Sequence, residues 1–153
     1  MDSLFQNKTQ IFLIVTCVLI SSCQRSVFVD TITNSSSSKE YYVNLSDLPF
    51  FWKDAYLFDG YYTDSEIEET IGARLKKSSD LAFFVVVFTN KGKVVHEECW
   101  YYLQNKKPLL SIISSQEGQR EYLHIIREKP IVKVVRSKLS YKDDDLFIIR
   151  HTK

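Results

Sequence analysis

Glycine is scarce in this chain, with four in 153 residues, and none is grouped into a phosphate-cradling loop. Asp59-Gly60 and Lys91-Gly92-Lys93 are turns, so the nucleotide-binding motifs have no foothold. An excess of charge of either sign is also missing: 20 Lys and Arg stand against 19 Asp and Glu, a formal charge of +1. That leaves no footprint for nucleic acid. Local clusters such as Lys76 and Lys77, Lys91 and Lys93, or Glu66, Glu68 and Glu69 read as solvated faces and turns. No apolar run is long enough to cross a bilayer, because residues 11–20 fall well short of the roughly 20 that a spanning helix needs. Of three cysteines, Cys17 lies inside that run and Cys23 just after it. Cys99 is alone in the body of the chain and reads as a small core residue with no partner for a disulfide there.

Groupings that could do catalysis are equally thin. His96-Glu97-Glu98-Cys99 contains metal-ligand types, but alternation along a strand sends His96 and Cys99 to opposite faces. Only His96 and Glu98 share a face, and they read as an exposed polar pair whose loss should change stability by no more than about 0.5 kcal/mol. His124 and His151 are isolated, and no spacing suggests a nucleophilic triad. The helix start explains Glu66, Glu68 and Glu69 better than a pair of catalytic acids does. The sequence therefore assigns no catalytic residue, no metal ligand and no cofactor.

What is present begins with the first 23 residues. A polar stretch containing Lys8, the apolar run over 11–20, and then Ile20-Ser21-Ser22-Cys23 have the layout of an export signal. Ile20-Ser21-Ser22-Cys23 resembles the lipobox of bacterial lipoproteins. The resemblance implies lipid on the Cys23 thiol, cleavage after Ser22 and acylation of the new amino terminus, enough for stable membrane attachment. An ordinary secretory signal and an uncleaved anchor are the alternatives. Gln24 after the cysteine favours the periplasmic face of the outer membrane where the source has two membranes. On this reading residues 1–22 are a signal peptide. Residues 23–40, with the run Ser35-Ser36-Ser37-Ser38, are a lipidated cysteine and flexible tether. Residues 41–153 form a single globular domain.

The expected domain is α+β: an antiparallel sheet of about four to six strands with one short N-terminal helix. Residues 54–59 alternate, with Ala55 and Leu57 on one side and Tyr56 and Phe58 on the other. Thr63-Asp64-Ser65-Glu66 is a capping box, Ile67 and Ile71 share a helix face, and Gly72 is placed to close the helix in a left-handed cap. Residues 81–88 are apolar on both faces, which marks an interior strand, and Asn90-Lys91-Gly92-Lys93 turns it into a hairpin partner. Further strands are expected over 109–113, 131–135 and 146–149. Residues 114–128 are ambiguous between helix and strand, with a lean to strand.

Aromatic density between residues 41 and 62 exceeds what alternation alone can bury. Trp52, Tyr56, Tyr61 and Tyr62 are therefore the candidate partner-binding residues, since exposed rings suit protein interfaces and stacking on sugars. The order Trp52-x-x-x-Tyr56-x-Phe58, then Tyr62-Thr63 with Glu66-Ile67 and Ile71-Gly72, resembles small uncharacterised bacterial lipoproteins. A helix ending in Ile71-Gly72 followed by Val87-Phe88-Thr89-Asn90-Lys91-Gly92-Lys93-Val94 is similar to the small lipoprotein subunit of the outer-membrane barrel-assembly machinery. The expectation is a non-enzymatic envelope lipoprotein, held at the membrane by its lipid and binding an envelope protein or the cell wall. An inhibitor or immunity-type lipoprotein and a small envelope hydrolase are the competing readings.

Overall fold

Two four-stranded sheets packed face to face, with a helix on either side of one of them, make up the computed structural model, which describes residues 26–101, 109–112, 121–138 and 145–152. In chain order the elements are helix α1 (Val27–Asn34), β1 (Glu40–Asn44), a 3-10 turn (Leu45–Asp47), β2 (Asp54–Asp59), helix α2 (Asp64–Ile71), β3 (Ala82–Asn90) and β4 (Lys93–Tyr101). They continue with β5 (Leu109–Ile112), β6 (Glu121–Ile126), β7 (Ile131–Lys138) and β8 (Asp145–His151). The first sheet runs β1-β7-β8-β5 and the second β4-β3-β2-β6. All neighbours are antiparallel except β5 and β8, which are parallel. The class is the expected α+β, but with eight described strands in place of four to six and two α-helices in place of one.

The apolar strand explains the layering. Phe84, Val86 and Phe88 of β3 face the first sheet, in one core with Trp52, Leu57, Val132, Val134 and Ile149. Val85 and Val87 face the other way, against Ile67 and Ile71 of α2. β3 is thus covered on both faces, as its composition requires. At the β3–β4 turn Lys91 and Gly92 both have positive φ, 50° and 70°, the backbone of a two-residue hairpin turn that twists with its strands. Register shifts at Phe88/Thr89, so Thr89 pairs with Val94 while Phe88 pairs with His96. The extra residue turns Val94 towards α2, away from the face of His96, Glu98 and Trp100.

Helix α2 keeps the bounds its local signals set. The Thr63 hydroxyl accepts from the Glu66 amide, the Glu66 carboxylate accepts from the Thr63 amide at 2.7 Å, and Gly72 closes the helix at φ 65°. The loop after it is pinned at Ser79, whose amide donates to Asp64 at 2.7 Å. Burial raises the Asp64 carboxyl, but the Ser79 hydroxyl and amide and the Ser78 hydroxyl outweigh it and hold the group below its ordinary value.

Within the expected flexible tether over residues 23–40, Val27–Asn34 is instead the helix α1, and residues 23–25 lie outside the described residues. Phe28, Val29 and Ile32 are buried on one face of that helix and belong to the main core. α1 bridges two sheet edges: the Phe28 amide donates to Glu98 of β4 at 2.8 Å, and the Tyr41 hydroxyl of β1 donates to the Ile32 carbonyl. On the opposite side the sheets are joined by Asp59, which accepts from the Ser111 hydroxyl at 2.6 Å and the Ile112 amide at 3.0 Å. Of the ambiguous segment over 114–128, Glu121–Ile126 is a strand, and 114–120 lies outside the described residues.

Three measurements check this packing. Thr63→Ala should lower unfolding stability by about 0.5–2 kcal/mol through the lost cap. Phe28→Ala should lower it by about 3–5 kcal/mol, the cost of emptying a core ring site, whereas a tether residue would cost almost nothing. Both are read from urea midpoints. The depressed Asp64 carboxyl contributes stability that is fully present above the ordinary value of 3.8 and is lost as pH falls through its lower folded value. Asp64→Asn should therefore flatten the loss of stability on acidification.

Candidate functional site

Of the four aromatic candidates, Trp52 is a core residue, Tyr56 and Tyr62 are half-buried and Tyr61 is exposed. The Trp52 side chain is 0% exposed, its indole N–H donates to the Leu45 carbonyl at 3.1 Å, and its ring meets Phe88 edge-on at 5.5 Å. It cannot serve as an exposed binding anchor in this fold, and the expectation for it is corrected. The loop joining the 3-10 turn to β2 carries Trp52 inward, where Arg127 caps that ring at 5.6 Å and the neighbouring Phe51 ring at 4.7 Å.

Tyr56 and Tyr62 lie at the margin of the part of the second sheet that α2 covers, and Tyr61 is exposed in the segment between β2 and α2. The helix covers Phe58, Val85, Val87 and Val94. Beyond it, β6 pairs with β2 so that Tyr122 sits opposite Phe58 and His124 opposite Tyr56. The result is a continuous row of rings. Tyr62 stands edge-on to Phe58 at 5.1 Å, Phe58 leans on Tyr122 at 5.5 Å, Tyr122 on Tyr56 at 6.4 Å, and Tyr56 stacks on His124 at 4.5 Å with only 4° between the planes. Tyr61, 59% exposed, and Tyr122, 48% exposed, present the largest open surfaces. At the end of the row the His124 Nε2 lies 3.0 Å from the Asp54 carboxylate. Burial, then the Asp54 charge and the Tyr122 hydroxyl, raises the Tyr56 phenol above its ordinary value, so it remains a neutral donor and acceptor at physiological pH.

The sequence pattern missed Tyr122 and His124 because they lie in the segment left ambiguous. Once 121–126 is a strand, alternation puts both on one face. The arrangement offers flat π surfaces flanked by phenol, imidazole and carboxylate groups. That chemistry suits stacking and hydrogen bonding to a sugar or an interface side chain.

The His96 and Glu98 pair is placed differently from its expectation. The two share a face and lie 2.7 Å apart, but Glu98 is only 8% exposed. Its Oε1 accepts from both His96 and the Phe28 amide. His96 in turn stacks on Phe50 at 4.5 Å. The pair is therefore a clamp on the start of α1, a place where Ser26 supplies no side-chain cap, and a carboxylate there also suits the helix dipole.

Cys99 is half-buried on the α2 face. Burial first, then the Glu97 and Asp64 charges, pushes its thiol up to about 11. Among the described residues no group of three or more His, Cys, Asp or Glu side chains could hold a metal ion. No described helix is long and apolar enough to cross a membrane. Cys23 lies outside the described residues. No protein-family model, no curated protein and no solved structure matches the chain.

Glu98→Ala should destabilise by about 1–3 kcal/mol, because it leaves the Phe28 amide unsatisfied in the core. Thermal melting measures the loss, and early protease cleavage within residues 26–39 would locate it in α1. For Cys99, a thiol pushed from its ordinary 9.0 up to about 11 has roughly a hundredfold less thiolate near neutral pH. The higher nucleophilicity of a more basic thiolate returns about tenfold of that. Alkylation by iodoacetamide at neutral pH should thus run about tenfold slower than that of a free thiol.

Proposed function

We propose that this chain is a lipid-anchored protein of the bacterial envelope, held by Cys23, that acts as a non-enzymatic binding module. The row of rings on the second sheet is its contact surface for an envelope protein or a cell-wall glycan. One observation carries the binding part of this reading: Tyr56, Tyr122 and His124 form a stacked, partly open set on the sheet face where α2 stops short, and the loop before α2 carries the exposed Tyr61. Rings of this kind contribute most to an interface when a partner desolvates them, and a soluble domain gains nothing from leaving them wet. The anchoring part rests on Ile20-Ser21-Ser22-Cys23.

The two parts are tested separately. Cys23→Ala should abolish incorporation of a labelled fatty acid and leave a longer, unprocessed chain; equal labelling of the variant would remove the anchor. Tyr61→Ala combined with Tyr122→Ala should leave the melting temperature within a few degrees of the parent. It should also weaken binding to purified cell-wall sacculi, or to a partner cross-linked from membranes, by about 2 kcal/mol or more, the size of an interface hot spot. Unchanged binding in both assays would take the ring row out of the function.

A further inference from the structure

We propose that one pole of the domain, built from residues 45–53, the 90–93 turn and the 127–130 turn, lies against the anionic headgroups of the membrane that carries the anchor. The inference rests on lipidation at Cys23 and adds which face meets the bilayer.

The first observation is where the chain enters the fold. α1 starts over β3, with the Phe28 ring 5.9 Å from Phe88, one residue short of the rung that pairs Thr89 with Asp54. It ends against Tyr41, four residues along β1 from Leu45. The Phe28 ring thus reaches towards this pole from an amide held at Glu98, while the chain leaving α1 leads to Lys39, whose carbonyl accepts from the Arg136 amide at the opposite end of the first sheet. From Cys23 to Val27 there are four residue steps, which span at most about 14 Å. An anchor on so short a lead keeps the adjoining pole near the headgroups, where surface charge decays within about 8 Å at physiological salt.

The second observation is what that pole presents. Lys53, Lys91, Lys93 and Lys129 are exposed there, with Arg127 half-buried over the Phe51 ring. Phe51, 64% exposed, is joined by exposed Pro49, Ile126 and Ile131. Opposing charge there among the described residues comes from exposed Asp47 and Glu128 and from half-buried Asp54, which is bonded to His124, so cations outnumber anions five to three. Cations around exposed apolar and aromatic side chains match an anionic interface in both charge and polarity. A second basic surface, the open groove lined by Lys39, Arg136 and Lys138, lies at the opposite end of the first sheet. Its Arg136 is already bonded to Asp145.

The test uses the lipidated protein on vesicles of phosphatidylcholine alone or with about 30% phosphatidylglycerol, mapped by lysine acetylation. Lys53, Lys91, Lys93 and Lys129 should react about threefold or more slowly on the anionic vesicles than in detergent, with recovery at high salt, while Lys39 and Lys138 stay unchanged. Protection equal at both ends, equal on both vesicle types, or absent overturns the proposal. In a second arm the unlipidated chain from Cys23 onward, which contains every described core residue, is sedimented with the same anionic vesicles. Lys91→Glu with Lys129→Glu should reduce its binding about tenfold, and the charge-matched Lys39→Glu with Lys138→Glu by less than about twofold. Equal losses, or no binding by the parent, overturn the assignment. Mass spectrometry of the Cys23 peptide reports lipidation independently, so a failed anchor and a failed pole give different results.

Discussion

A strand that is apolar on both faces has to be covered twice, and β3 imposes that demand on everything around it. Phe84, Val86 and Phe88 need one layer, and Val85 and Val87 need another. The first sheet supplies one and α2 the other. The same demand sets how far each cover extends. α2 has eight residues, enough to lie over β3 and its flanks but not over β6, so the ring row stays open. Open face and core are in this sense one problem: the short helix that completes the second core also defines which part of the sheet stays uncovered.

What is legible in the sequence is what is encoded locally. Thr63, Glu66 and Gly72 announce α2 within a ten-residue window, and the structure keeps each of their roles. Lys91 and Gly92 mark the hairpin in the same way. α1 is not announced locally. Its Phe28, Val29 and Ile32 do fall at helical spacing, but a serine run follows them and its N-terminal partner, Glu98, is 70 residues away. A helix capped from a distant strand carries no start signal of its own. That distance also explains why His96 and Glu98 read as surface residues: the element that buries Glu98 is the one the pattern treats as tether.

The aromatic candidates separate on the same principle. Tyr56 and Phe58 alternate within β2, and their faces follow from the sequence. Trp52 precedes the strand, where no alternation rule applies, and its burial is decided by Leu45 and Phe88. Tyr122 and His124 become part of the row only through the β2–β6 register. Sequence thus finds the centre of the site, while pairing between distant segments sets its extent.

The docking of α1 also places the chain's load path. Under the anchoring proposed above, any pull between the membrane and a bound partner enters the domain through Val27 and reaches the sheets through α1. That helix is fastened by side-chain burial and by two bonds at its ends, Glu98 to the Phe28 amide and Tyr41 to the Ile32 carbonyl. The sheets are fastened by continuous ladders, so tension should peel the helix away before it disturbs a strand. Release of residues 26–39 would add about 45–50 Å of extensible chain. Under that proposed anchoring, the element that seals the core at rest would also act as a mechanical fuse, yielding length under strain while the ring row keeps its shape.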